Sequence, residues 1–187
     1  CVAGGVNLLL LAATTAVTSA AGMLDAQGRC KTLDAAAGGY VRAEACGALR
    51  LACGAGCESA IGAETVLSTA LNQDGRSSSL TAPNGPSQQL LLLAGARVSG
   101  MPPSTLCGHQ LHGTGTPLGD PIERSALASA MAASGGPASL VLTAAKARVG
   151  HSEAGAALSG LADALGVADS APAPVTLHLR ACNAHVA

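Results

Sequence analysis

The chain alternates short leucine-rich or β-branched runs with Gly- and Thr-rich connections and stretches in which apolar residues recur every three or four positions. Val2 to Leu9 predicts a buried strand, followed by a short helix to Gly22. Asp25 to Ala37, DAQGRCKTLDAAA, is polar and turn-rich, with Gly28 as its left-handed residue. Gly39 to Leu51 alternates as a strand does. Ala60 to Leu71 carries Ile61, Thr65, Val66 and Thr69 and reads as another strand. Asn72 to Pro86, with NQDG and PNGP, is a loop. Ser87 to Val98 predicts a helix that starts at a serine cap and is ended by GMPPS.

Two strand-loop-helix units follow. Residues 111–123, LHGTGTPLGDPIE, open on His112 and are too rich in Gly, Thr and Pro to be helical. Asp120 is placed to cap a helix with Pro121 at its first position, and Ile122, Ala126, Leu127 and Ala130 give it an apolar face. Downstream, Ser139 to Thr143 reads as a buried strand, Lys146 and His151 lie in the next loop, and an Ala-rich helix starts at about Ser152. Each unit delivers a histidine at the carboxyl end of a strand, where open α/β sheets place their sites.

Composition narrows the function classes. The chain has 187 residues, enough for one domain with a sizeable core; 49% are hydrophobic, 11% are charged and the net charge is -1. No basic excess points to nucleic acid and no charge run points to a tail. Phe and Trp are absent, so Ala and Leu must fill the core. Residues 8–22, LLLLAATTAVTSAAG, imitate a signal peptide but lack its positive leading region. The chain begins at Cys1 rather than Met, so this end is not read as the natural one, and organelle targeting stays open. Gly4, Gly5, Asn7 and the Thr/Ser cluster break the apolar run, which argues against a membrane span; a cytoplasmic location is expected.

Seven scattered cysteines argue against a disulfide framework. Cys107, His109 and His112 are close in sequence but lack the paired spacing of a zinc site, so no metal is expected. GHSEA at 150–154 approaches the G-x-S-x-G nucleophile elbow, with Asp163, Asp169, His178 and His185 available for a triad. Ala154 replaces the final glycine, and the loop 144–149 separates strand from Ser152 where an elbow is sharp.

HGTGTPLGDPIE at 112–123 resembles the first histidine motif of the β-ketoacyl synthases, the condensing enzymes of polyketide and fatty-acid synthesis. KARVGHSEA at 146–154 resembles their Lys-to-His motif. GGVNLLL at 4–10, AGMLDAQGRCKTLDAAAGGYVRAEACG at 21–47 and NQDGRSSSLTAPNGPSQ at 72–88 continue the agreement in the family's order. The resemblance implies an α/β chain of thiolase-like, αβαβα layered fold. Residues 1–54 are then the end of the N-terminal half and 55–187 the C-terminal half, with Gly54 to Ser59 at the passage between them. The loop 72–86 then helps shape the substrate entrance.

The chemistry implied is a decarboxylative Claisen condensation of a cysteine-bound acyl chain with malonyl on acyl carrier protein. Loss of carbon dioxide puts negative charge on the thioester oxygen, and two neutral imidazoles, His112 and His151, would each donate an N–H to it. Lys146 would set the local potential. Thr114 and Thr116 would hydrogen-bond the phosphopantetheine arm that carries the substrate; no bound cofactor is expected. Relatives carry the nucleophile in a Thr-Ala-Cys-Ser-Ser run at a helix start, and none of Cys1, Cys30, Cys46, Cys53, Cys57, Cys107 or Cys182 has that context. The chain thus resembles a ketosynthase without its thiol, inactive alone, whose partners are acyl carrier protein, the missing N-terminal half of the same domain and, when complete, a second copy in a homodimer. Residues 177–187, LHLRACNAHVA, resemble the segment before the family's final Gly-Phe-Gly region, which LHLR favours, although NAHV also resembles the motif after it; on either alignment one supplier of the oxyanion hole is expected to be missing.

The chain departs from the family at Leu33 (usually Phe), Gln110 and Leu111 (Glu-Ala), Ala147 and Arg148 (Thr-Asn) and Ser152 (Leu). Arg148 is expected to add a second cation beside the histidines. The alternative function is a non-catalytic ketosynthase-like module that binds acyl carrier protein or a partner ketosynthase.

Overall fold

The computed structural model describes residues 1–52, 64–77, 82–136, 140–168 and 176–186. The expectations for Gly54 to Ser59, for the start of the 60–71 strand and for Asp169 fall outside the described residues.

Val2–Asn7 forms β1, Ala12–Ala20 forms α1 and Ala45–Arg50 forms β2. β1 and β2 pair antiparallel, from Val2 opposite Arg50 to Asn7 opposite Ala45. The first strand is where the hydrophobic pattern predicts it, but it is not buried: Val2 is 72% and Val6 55% exposed. β2 covers one of its edges, and the helix Ala156–Ala168 with the 3-10 turn Glu153–Gly155 covers one face. A strand covered on so few sides leaves alternate side chains to solvent.

The second expected strand is shorter than its alternation suggests. Gly39 (φ 144) lies against the backbone of Met23 and Leu24, and residues 40 and 42 make isolated bridges to Leu24 and His151 before β2 begins. Residues 64–71 form no ladder, and Leu71 is 97% exposed.

Gly85–Ser99 forms α2, closed by Gly100 in the left-handed region. It begins before Ser87: Asn84 is the cap, its side chain accepting from the Ser87 N–H, with Pro86 in the first turn. Gly119–Ala132 forms α3, which packs against α2 and buries Ala126, Leu127, Ala130 and Met131. Asp120 does not cap it. Its carboxylate is 2% exposed and accepts instead from the N–H of Leu33 (2.8 Å) and of Gly115 (3.1 Å).

Gly108–Gln110 (β3) and Val141–Thr143 (β4) pair in parallel, Gly108 beside Val141 and Gln110 beside Thr143. Lys146–Val149 makes a single turn, α4, and Ala156–Ala168 forms α5. The core joins Leu33, Leu111, Leu127, Met131 and Val186, with Leu92, Leu106, Leu140 and Leu142 packed on it. Leucine thus carries the volume that aromatics usually supply. Among the described residues no helix is long and apolar enough to cross a membrane.

The 25–37 loop is polar in sequence, yet its middle is buried: Cys30, Thr32, Leu33 and Asp34 are all under 9% exposed. Thr32 Oγ1 donates to the Gly113 carbonyl (2.6 Å), and the Gly39 N–H donates to the Gly115 carbonyl (3.0 Å). The loop therefore underpins the glycine-rich run after His112.

Candidate active site

β3 and β4 are neighbours that end at the same level, so the residues that follow them meet above one edge of the pair. His112 follows β3 by two residues and Lys146 follows β4 by three. Gly113 (φ 52) and Gly115 (φ 77) let the chain turn sharply here. A Cβ at Gly113 would stand 2.8 Å from Thr32 Cγ2 and 2.9 Å from Ala144 Cβ, so only glycine fits between the two units.

His112 and His151, thirty-nine positions apart in sequence, lie edge to face with ring centroids 5.5 Å apart. Tyr40 flanks His151 at 5.0 Å. Lys146 is 7% exposed; its Nζ donates to the His112 carbonyl (2.7 Å) and lies 3.4 Å from His112 Nδ1. His151 Nδ1 accepts from the Glu153 N–H at 3.0 Å. Each Nδ1 therefore faces a donor, which places the ring proton of each neutral imidazole on Nε2.

Electrostatics keep both rings neutral. His112 is exposed along its outer side, but its Nδ1 edge is turned toward Lys146. Desolvation of that edge, then the Lys146 cation, then His151, push its pKa down to about 4. Burial and Lys146 also lower His151. Burial lowers Lys146 too, opposed by the Glu123 carboxylate.

Glu123 was not singled out from the sequence, yet it holds the histidine backbone: its carboxylate accepts from the N–H of His112 (2.5 Å) and of Gly113 (3.0 Å). Burial raises both Glu123 and Asp120 from their ordinary carboxyl values, opposed by the backbone N–H groups they accept from. The signal was present. Asp120 and Glu123 stand three apart in the first turns of α3, so they share a face turned back toward the loop.

The other expected residues fall as follows. Thr116 Oγ1 accepts from the Gly119 N–H (3.1 Å) and lies 3.3 Å from Thr114 Oγ1, so both hydroxyls shape the turn into α3. Arg148 does not stand as a free cation beside the histidines; it pairs with Asp163 of α5. Ser152 is 1% exposed, with its Oγ 3.5 Å from Ser159 Oγ, so it is no exposed elbow nucleophile. His109 lies within β3, and the described residues bring together no group of three or more metal-ligating side chains. Cys30 is buried, and burial raises its thiol. Cys1, Cys46, Cys107 and Cys182 are exposed. Cys53 and Cys57 lie outside the described residues.

An open groove of about 480 Å³ is lined by His112, Lys146 and His151 together with Ala157, Gly160 and Ala164 of α5. The small residues leave room for a slender chain, while the polar groups offer N–H donors and one cation.

Residues 63–180 match the family profile described as "Beta-ketoacyl synthase, C-terminal domain", and residues 1–53 match "Beta-ketoacyl synthase, N-terminal domain". The chain is 42% identical over 165 residues to one polypeptide of the phenolphthiocerol/phthiocerol polyketide synthase of Mycobacterium tuberculosis, covering 87% of this chain and 8% of that protein. It is 39% identical over 183 residues to another polypeptide of the same synthase, covering 97% of this chain and 12% of that protein. Among solved structures, the ketosynthase from module 6 of the bacillaene synthase from Bacillus subtilis 168 superposes with a TM-score of 0.86 at 30% identity. The match covers 98% of this chain and 34% of that one. The oxazolomycin ketosynthase domain of Streptomyces albus JA3453 gives 0.87 at 29% identity, over 99% and 32%. The chain thus spans about a tenth of those synthase polypeptides and a third of the solved ketosynthases. By profile, by sequence and by its thiolase-like α/β fold, this chain belongs to the β-ketoacyl synthase family.

Proposed function

We propose that this chain supplies the enolate-stabilising part of a polyketide-synthase condensing site. The observation that carries the reading is the pair of neighbouring imidazoles whose Nδ1 atoms are both engaged, leaving two Nε2–H donors beside a buried lysine. When malonyl thioester loses carbon dioxide, the electrons of the broken C–C bond delocalise onto the thioester oxygen. Two N–H groups aimed at that oxygen stabilise the charge as it develops, and neutral rings do so without giving up a proton. Lys146 raises the local potential and fixes the His112 tautomer. The enolate carbon then attacks the thioester carbonyl of a cysteine-bound acyl chain, the C–C bond forms and the cysteine thiolate leaves.

The malonyl unit arrives on the phosphopantetheine of an acyl carrier protein, with Thr114 and Thr116 toward the arm. The nucleophilic thiol belongs to the other part of the N-terminal ketosynthase half, residues 1–54 and 55–187 contribute to the two halves, and the completed domain is a cytoplasmic homodimer. None of the described cysteines combines an exposed thiol with the start of a helix beside the histidines, so this chain alone forms no ketoacyl product. The test is malonyl decarboxylation by the chain reunited with a thiol-bearing ketosynthase half. His112→Ala and His151→Ala should each slow it about 100-fold or more. Unchanged rates in both variants would overturn the assignment.

A further inference from the structure

A second cavity, of about 530 Å³, lies between the 25–37 loop and the segment around His178, and it shares no wall residue with the histidine groove. Three of the chain's ten Lys and Arg residues line it: Arg29, Lys31 and Arg180. Asp34 is the one acid in its lining, and that carboxylate is already committed. Oδ2 accepts from the N–H of Arg180 (2.6 Å) and Ala181 (3.0 Å), and Oδ1 accepts from that of Ala36 (2.7 Å). Asp34 thus straps the 180–181 segment onto the loop and builds the wall.

The cations are not equally free. Lys31 is paired with Asp25 at 2.7 Å. Arg29 and Arg180 are exposed, and among the described residues neither guanidinium forms an ion pair with a carboxylate, their carboxylate contacts being through backbone N–H; Arg29 Nη1 donates to the Gly28 carbonyl (2.9 Å). His178 stands in the same wall with φ 67, a left-handed conformation that a side-chain-bearing residue adopts at a cost. Gln27 adds an amide. Two guanidinium forks, an imidazole and an amide outnumber the two oxygens of a carboxylate and suit the three or four of a phosphate.

We infer that this cavity is a phosphate site, in which the oxygens of one phosphate group bridge Arg29 and Arg180 with His178 and Gln27 as further partners. The phosphate has two sources of identical chemistry, free phosphate or the end of a phosphopantetheine arm. Binding here does not depend on the condensation reading, because its measurement involves no turnover.

The test is an NMR titration of the whole chain at constant ionic strength with inorganic phosphate, 4′-phosphopantetheine and pantetheine. Phosphate should shift the amides of residues 27–36 and 178–180 saturably, with half-saturation at about 1–10 mM, as expected of solvent-exposed ion pairs. Arg29→Gln with Arg180→Gln should weaken this about tenfold or more, while Arg97→Gln on α2 leaves it unchanged. Tighter binding of phosphopantetheine than of phosphate supports the arm as source, and equal binding supports free phosphate. The site is refuted by absence of saturation, by unchanged affinity in the double variant, or by pantetheine binding these residues as tightly as its phosphorylated form. Should the double variant unfold, Arg180→Gln alone must weaken binding about threefold, and Arg180→Lys must recover part of it.

Discussion

Replacing Lys146 by Met keeps the length and apolar stem of the side chain and removes its charge, so it isolates what the cation does to His112. Lys146 Nζ lies 3.4 Å from His112 Nδ1. Two unit charges at that distance repel by about 1.2 kcal/mol in water and several-fold more in a dry interior. Lys146 is buried but the outer side of His112 is open to solvent, so the aqueous value is the lower bound, and it amounts to about one pH unit. Lys146 therefore accounts for the smaller part of the fall from 6.5 to about 4, behind the desolvation of the ring. The variant should move the His112 midpoint up by about one pH unit, still below the ordinary value because burial persists. His151, which Lys146 also depresses, should rise with it. The assay is an NMR titration of the imidazole carbon and proton resonances between about pH 3 and 8 in both proteins. A histidine depressed in the folded state binds its proton more readily once unfolded, so stability falls as pH drops from 6.5 toward the folded midpoint, and the variant should lose less over that window. A wild-type His112 midpoint near 6.5, or one that Lys146→Met leaves in place, would refute the electrostatic account of the site.

Gly113→Ala should destabilise the chain by about 2–4 kcal/mol in urea unfolding, because its Cβ would crowd Thr32 and Ala144 at a positive φ; a change under about 1 kcal/mol would show that the two units are not wedged there. Asp34→Ala should cost about 2–3 kcal/mol by orphaning the N–H groups of Ala181, Arg180 and Ala36. These donors hold the Asp34 carboxyl below its ordinary 3.8, so its contribution is present above that value and lost as pH falls through the folded midpoint; acid unfolding of the variant should be correspondingly less steep. A double-mutant cycle on Arg148 and Asp163 should give a coupling of about 1 kcal/mol, since both side chains are partly shielded; zero coupling would mean that α4 is held to α5 by other contacts.

Local chemistry was readable from the residues themselves. The turn at HGTGTP, the Gly28 reversal, the end of α2 at GMPPS, the apolar face of α3 and the Ala-rich α5 all depend on neighbours a few positions away, and short-range sterics and periodicity decide them. The succession of motifs likewise carried the family. Local pattern misled where a residue's partner is remote in sequence. Asp120 has the sequence context of a helix cap, but Leu33, 87 positions away, claims its carboxylate. Arg148 reads as a loose cation until Asp163 meets it across α5. Val2 and Val6 read as core until the neighbours that would cover them are counted. The side-by-side parallel ends of β3 and β4 bring His112 and Lys146 together with His151 beside them; Lys146 then engages His112 Nδ1, the Glu153 N–H engages His151 Nδ1, and burial with the Lys146 cation lowers both pKa values. Those properties depend on distance and solvent exclusion between segments, which the order of residues along a chain does not express.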